Sequence, residues 1–244
     1  MTPDFAIEQL AEDALLLRFG DGIDIGINAR VQAAARALRA SNLQGLIDIA
    51  PAYATLLVRF DPLLWLDVES ARPLARIATC LRSLPLPALS PEQEAVRGRG
   101  LGMDAVEIPV CYGGEFGPDL EALAQHARLP RDEVIGRHMA VEYSVAMLGF
   151  APGFSYLLGL DPALRMPRRA HPRTRVPTGS VAIGGAQTGI YPRELPGGWN
   201  LIGRTPLALF DPERNPPCLL APGDRVRFRA IDVDEFTRVA ERNG

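Results

Sequence analysis

Between Asp161 and Arg204 the chain carries seven arginines, at 165, 168, 169, 173, 175, 193 and 204, against two acids, Asp161 and Glu194. A guanidinium grips a carboxylate or phosphate through two parallel hydrogen bonds, and nearby glycines let backbone N–H groups reach the same anion. The segment therefore suits an anionic ligand or an acidic partner surface. Solvated loops and structural ion pairs account for the same spacing equally well. Gln187 and Thr188, set among glycines, could orient an amide or a phosphate. Tyr191 and Trp199 flank them and could wall a pocket, but Trp199 beside glycine reads by default as packing on exposed backbone. Glu142 and Asp161 are the carboxylates nearest this segment, without the paired spacing of an acid/base dyad.

Other chemistries are absent from the motifs. Ser155 and Ser180 lie outside any Gly-x-Ser-x-Gly elbow, there is no Walker A sequence, and GGAQTG (184–189) misses the dinucleotide fingerprint. His126, His138 and His171 share no metal-ligand spacing. His126 and His138, near predicted helix ends, read as surface or capping residues, while His171 in the arginine-rich loop is a fairer functional candidate. All 26 basic residues are arginine. This excludes a Schiff-base lysine, a P-loop lysine and a biotin-accepting lysine in the chain. A net charge of −3 offers no pull on nucleic acid or anionic membranes. The uncharged run Met147–Leu160 is broken by Gly and Pro and too short to span a bilayer. Three dispersed cysteines and an acidic amino terminus fit a reduced, cytoplasmic protein.

The elements that must position these residues fall into two textures. Ala14–Phe19 and Ile23–Ile27 read as strands around an Asp21-Gly22 turn, with Asn28 capping a helix through Ala40. Leu46–Ala50 and Tyr53–Phe60 read as strands, and Leu74, Ile77 and Leu81 mark a helix with Pro73 in its first turn. Residues 1–82 are thus a small α+β domain. Ser83–Gly102, rich in Pro, Gly and charge, reads as the linker, extending to 104. In 105–244 a strand at Val106–Val110 precedes helices at Pro118–Arg128 and Pro130–His138. From Met147 to Phe210, ten glycines and eight prolines favour short strands and tight turns. Val181–Ile183, Gly189–Tyr191, Asn200–Ile202, Leu207–Phe210 and Arg225–Arg229 are the expected strands of a closed or half-closed barrel, and Asp232–Asn243 a surface helix.

Three runs carry a resemblance. GFAPGFSYL, VPTGSVAIGG and PGGWNLIGRTP, ordered within Ile108–Ile231, strongly resemble the B subunit of bacterial 5-oxoprolinase. That family is also called allophanate hydrolase subunit one and includes the sporulation-kinase inhibitor of bacilli. The resemblance implies a cyclophilin-like β-barrel for the second domain. It also implies a hydrolase complex that opens 5-oxo-L-proline to L-glutamate with ATP and Mg. The implied partners are a homologous C subunit and a separate A subunit, with no nucleotide assigned to this chain itself. Position by position, it implies Arg168, Arg173, Gln187, Thr188 and Arg204 as ligand-facing groups, with Gly153, Gly179, Gly184, Gly185 and Gly198 shaping the walls. Inhibition of a sensor histidine kinase, or an accessory carboxyltransferase-type role in a urea carboxylase/allophanate system, are the alternatives.

Overall fold

Asp24, not Asn28, starts the first helix. Its carboxylate accepts from Ile27 N at 2.9 Å and caps α1 (Ile25–Ala40). The strand expected at Ile23–Ile27 is therefore absent. Asn28 is a buried helical residue, and its amide donates to Ala52 O and Tyr53 O. The computed structural model describes residues 5–66, 73–83 and 105–243. They belong to two compact units, one within 1–99 and one within 100–244. The expected linker lies outside the described residues apart from Ser83, which ends a helix.

In the first unit, β1 (Ala6–Ala11), β2 (Ala14–Arg18), β3 (Leu46–Pro51) and β4 (Thr55–Phe60) form an antiparallel sheet in the order β1-β2-β4-β3. Register pairs Leu15 with Val58 and Leu17 with Leu56, so period-two alternation puts them on one face. That face is buried with Val31, Ala35 and Leu38 of α1 and with Ile77 and Leu81 of α2 (Pro73–Ser83).

The second unit is built on a closed barrel. Its strands are β5 (Val106–Tyr112), β6 (Tyr143–Leu148), β7 (Ser155–Leu158), β9 (Ser180–Gly184), β10 (Gln187–Ile190), β12 (Asn200–Arg204) and β13 (Arg225–Ala230). They close in the order β10-β7-β6-β13-β5-β12-β9, with β13 parallel to β5. A separate ribbon pairs β8 (Arg173–Val176) with β11 (Leu195–Gly197). The helices are α3 (Leu120–Ala127), α4 (Arg131–Ala140) and α5 (Val233–Asn243). Every barrel strand contributes to one core: Ile108, Val145, Leu157, Val181, Ile190, Ile202 and Val226 among others. This core is the interior. The opposite faces of β9 and β10 carry a second cluster of Ala151, Phe154, Val176, Ala182, Tyr191, Trp199 and Leu201. Leu207–Phe210, expected as a strand, makes only an isolated bridge from Phe210 to Cys218. No helix among the described residues is long and apolar enough to cross a membrane.

Candidate functional site

Two of the predicted ligand-facing residues, Gln187 and Arg168, lie at the second cluster. Gln187 of β10 stands opposite Gly184 of β9, and Gly189 opposite Ala182. With no side chain at Gly184, the Trp199 ring lies down on the strand, so close that a Cβ there would sit 2.5 Å from the ring. The ring also covers Gly189, and Tyr156 and Phe154 meet it edge-on at 5.8 and 5.7 Å. On its other side the Arg168 guanidinium lies 5.6 Å from the Trp199 centroid. Burial pushes the Tyr156 phenol up, and the Arg168 charge pulls it partly back. Gln187 is 5% exposed and its Nε2 has no partner. A buried amide donor without an acceptor costs stability unless a ligand or water meets it. This side of the β9–β10 pair therefore holds a buried indole, a cation over it and a buried amide donor without a partner.

Gly184→Ala is accordingly expected to cost about 1–3 kcal/mol, because a rigid indole must move. Urea unfolding followed by tryptophan fluorescence reads this directly, and an unchanged midpoint would mean the ring yields freely. Gly179 has a different reason to be glycine: its φ is +78° and a Cβ would meet Thr205 O at 2.2 Å. Gly153 and Gly185 also have positive φ, whereas Gly198 has neither positive φ nor a close approach.

Beside this wall is an open cleft of about 440 Å³, bordered by α3 and the 166–171 segment. Arg169 reaches it because its N–H donates to Gly198 O at 2.7 Å and Met166 bridges to Gly185. Its organiser is Asp119, a residue that spacing along the chain does not single out. Asp119 is 5% exposed and accepts from Arg169 Nη1 at 2.9 Å, from Arg173 Nη1 and Nη2 at 2.8 and 2.9 Å, and from Leu201 N at 2.7 Å. Placed just before α3, it looks like a helix cap in the sequence, yet its side chain makes no capping bond. Fifty residues separate it from Arg169. Only the fold joins them.

The predicted set thus divides. Arg168 lies over the Trp199 ring, and Gln187 stands in register with Gly184, on which that ring packs. Arg173 is engaged with Asp119 in a bidentate ion pair. Thr188 is fully buried, on the interior side of the barrel. Arg204 pairs in register with Ser180 across β12 and β9, its guanidinium 5.4 Å over Phe116, and both Arg204 Nε and Ser180 Oγ are buried without partners. Glu142 and Asp161 are taken up by structural pairs, with Arg225 and Arg227 for the first and Arg137 for the second. Arg175 pairs with Glu194 on the surface.

His138, expected at the surface, is fully buried. Thr188 Oγ1 donates to Ala182 O, so it accepts from His138 Nε2 at 3.1 Å, and Nδ1 accepts from the Tyr112 hydroxyl at 2.8 Å. The imidazole stacks on Phe228 at 4.5 Å. Burial lowers its pKa to about 3, so it is neutral, and burial raises the Tyr112 and Tyr143 phenols. His126 and His171 are exposed and line the cleft. Among the described residues no group of three His, Cys, Asp or Glu could hold a metal ion.

Residues 5–220 match the family described as carboxyltransferase domain, subdomain C and D. The 5-oxoprolinase B subunit of Bacillus subtilis (strain 168) is 42% identical over 243 residues, covering all of both chains. Among solved structures, TTHA0988 superposes with a TM-score of 0.73 at 40% identity, covering 90% of this chain, which spans 40% of that longer chain. PH0987 of Pyrococcus horikoshii is 42% identical with a TM-score of 0.55, covering 95% of this chain and 100% of that one.

Proposed function

The chain belongs to the 5-oxoprolinase B-subunit family, and from that premise we propose that it is one component of an ATP-dependent complex that hydrolyses 5-oxo-L-proline to L-glutamate. The similarity over the full length of the Bacillus subtilis protein carries this reading. Its barrel is of the cyclophilin-like kind, its compartment the cytoplasm, and its partners a homologous C subunit and a separate A subunit. A barrel fold by itself implies no prolyl isomerase activity.

The lactam carbon is a poor electrophile because the ring nitrogen donates into the carbonyl. Transfer of the ATP γ-phosphoryl group to that oxygen, with ADP leaving and Mg screening the charge, would open the carbon to water. Phosphate would then leave as the C–N bond breaks, and this chain's part would be to hold the ring and stabilise developing negative charge. On this chain, Gln187 Nε2, buried and without a partner, can donate to the lactam oxygen or carboxylate, while Trp199 packs on the strands and supports Arg168. Arg168 makes no ion pair among the described residues and can take the carboxylate by two parallel bonds. Arg173 acts at one remove, through Asp119. Arg204, with its buried Nε, is the remaining polar candidate.

The purified chain is expected to form no glutamate from 5-oxoproline, and addition of the A and C subunits to restore the reaction. Glutamate formation by the chain alone would overturn the division of labour. In the assembled complex Arg168→Lys is expected to lower activity roughly tenfold, since the charge stays and the bidentate geometry goes. The family description favours one second reading, an accessory role in a carboxyltransferase step. A chain without lysine cannot carry biotin, so co-purification of a biotinylated protein would mark that role.

A further inference from the structure

The cleft beside the Trp199 wall has a charge balance of which the lactam reading uses only Arg168. Arg168, Arg169, His126, His171, Asn200 and Asp119 border it. Asp119, the single acid in that set, is saturated by the two arginines and Leu201 N, so it offers no counter-charge to anything entering the cleft. Arg169 uses only Nη1 in that bond, and Arg168 meets only the indole face. His126 and His171 are exposed at its border, one on α3 and one on the 166–171 segment. Four side chains with hydrogen-bond donors thus border one open volume, and three arginines, Arg168, Arg169 and Arg173, stand against the one carboxylate.

We propose that this cleft binds a phosphate group. Several donors arriving from different sides suit a group with oxygens in several directions and up to two negative charges better than a planar carboxylate, which one arginine satisfies. The Asn200 side chain, fixed by its donation to Pro167 O at 2.9 Å and Ile183 O at 3.2 Å, holds the floor in place. The assignment rests on the oxoprolinase reading only for its source: in an ATP-dependent complex the group is the nucleotide's phosphate, or the free phosphate released from it. The binding itself is a property of this chain alone.

The test uses the full chain without its partners. Inorganic phosphate, ATP and acetate are titrated at constant ionic strength, with heat and 31P line width as readouts. Saturable phosphate binding is expected with a Kd on the order of 1 mM, and acetate at least about tenfold weaker. ATP binding more tightly than phosphate identifies the nucleotide as the source; equal affinity identifies free phosphate. Both support the site. Ala122→Glu sets a carboxylate on the cleft border from an exposed position of α3 and is expected to abolish binding without lowering the unfolding temperature. The double change His126→Ala, His171→Ala, at two exposed residues, is expected to weaken it about tenfold. Phosphate affinity unchanged in both variants, or acetate binding as tightly as phosphate, overturns the proposal. Because no turnover is read, a complex that fails to make glutamate while this chain still binds phosphate would overturn the oxoprolinase reading and leave the site standing.

Discussion

Replacing Asp119 with alanine is expected to destabilise the second unit by about 3 kcal/mol, because removing one partner of a buried ion pair strands the others. The Asp119 side chain is 7% exposed while those of Arg169 and Arg173 are 36% and 23% exposed. The stranded arginines can therefore turn partly to water, which sets the effect at the low end for a buried pair. A change of that size lowers the unfolding temperature by about 10 °C in a unit of this size. Two further losses act locally. Leu201 N is left without its acceptor beside the Trp199 wall, and Arg169 loses the bond that holds it at the cleft border. Asp119→Asn keeps an oxygen for Leu201 N but drops the charge, so it should fall between wild type and alanine. Arg173→Lys should also cost stability, since a single ammonium cannot replace both guanidinium bonds. Thermal unfolding of the three variants, with tryptophan emission as the probe, decides the matter. If all three melt with the wild type, the carboxylate organises nothing.

Features repeated along the chain were legible; features made by the closing of the barrel were not. Alternation at Leu56, Val58 and Phe60 declares a strand with one buried face, and the structure has β4 there. The glycine- and proline-rich stretch declares short strands and tight turns, and β7 to β12 follow. Gln187 could be named because it lies within the glycine motif, and Trp199 beside that motif reads as an aromatic packing on bare backbone, as it does on Gly184. Asp119 could not. Its position before α3 has an ordinary local explanation, and its partners come from β8, the 166–171 segment and β12. The same competition misplaced the first helix start, where Asp21-Gly22 suggested a hairpin but Asp24 supplied a cap one turn before Asn28. Arg173 carries the lesson furthest. Its motif marks it as a residue the backbone aims with care, and the structure aims it at a carboxylate of its own chain.

Lowering the pH from 7 to 4 is expected to remove about 3 kcal/mol of stability through His138 alone. In the folded chain this imidazole is fully buried and stays neutral down to a pKa of about 3, against an ordinary 6.5. The unfolded chain therefore takes up a proton from about pH 6.5 downward while the folded chain does not. Where the unfolded state binds more protons, stability rises with pH, so the contribution is complete above pH 6.5 and drains away as pH falls toward 3. Neutrality is also required by the bonding. Nδ1 must accept from the Tyr112 hydroxyl while Nε2 donates to Thr188, and a second proton on the ring would leave two donors face to face. Phe228, stacked at 4.5 Å, and Tyr143, which donates to His138 O at 2.8 Å, help bury the residue completely, so a charge on it would be out of contact with bulk water. Carboxylates held in ion pairs add a loss of the same sign, so the wild-type slope alone assigns nothing. His138→Gln separates the contributions, because it keeps a donor and an acceptor in the barrel but cannot titrate. The variant should be less stable at pH 7 by about 2 kcal/mol through poorer packing and bonding. Its stability should then fall less steeply, so that the two curves draw together by about pH 5. Urea unfolding at four or five pH values between 7 and 4 measures both slopes. Parallel curves would mean that His138 takes up its proton within the folded barrel, and the Tyr112–His138–Thr188 chain would then have to rearrange to admit it.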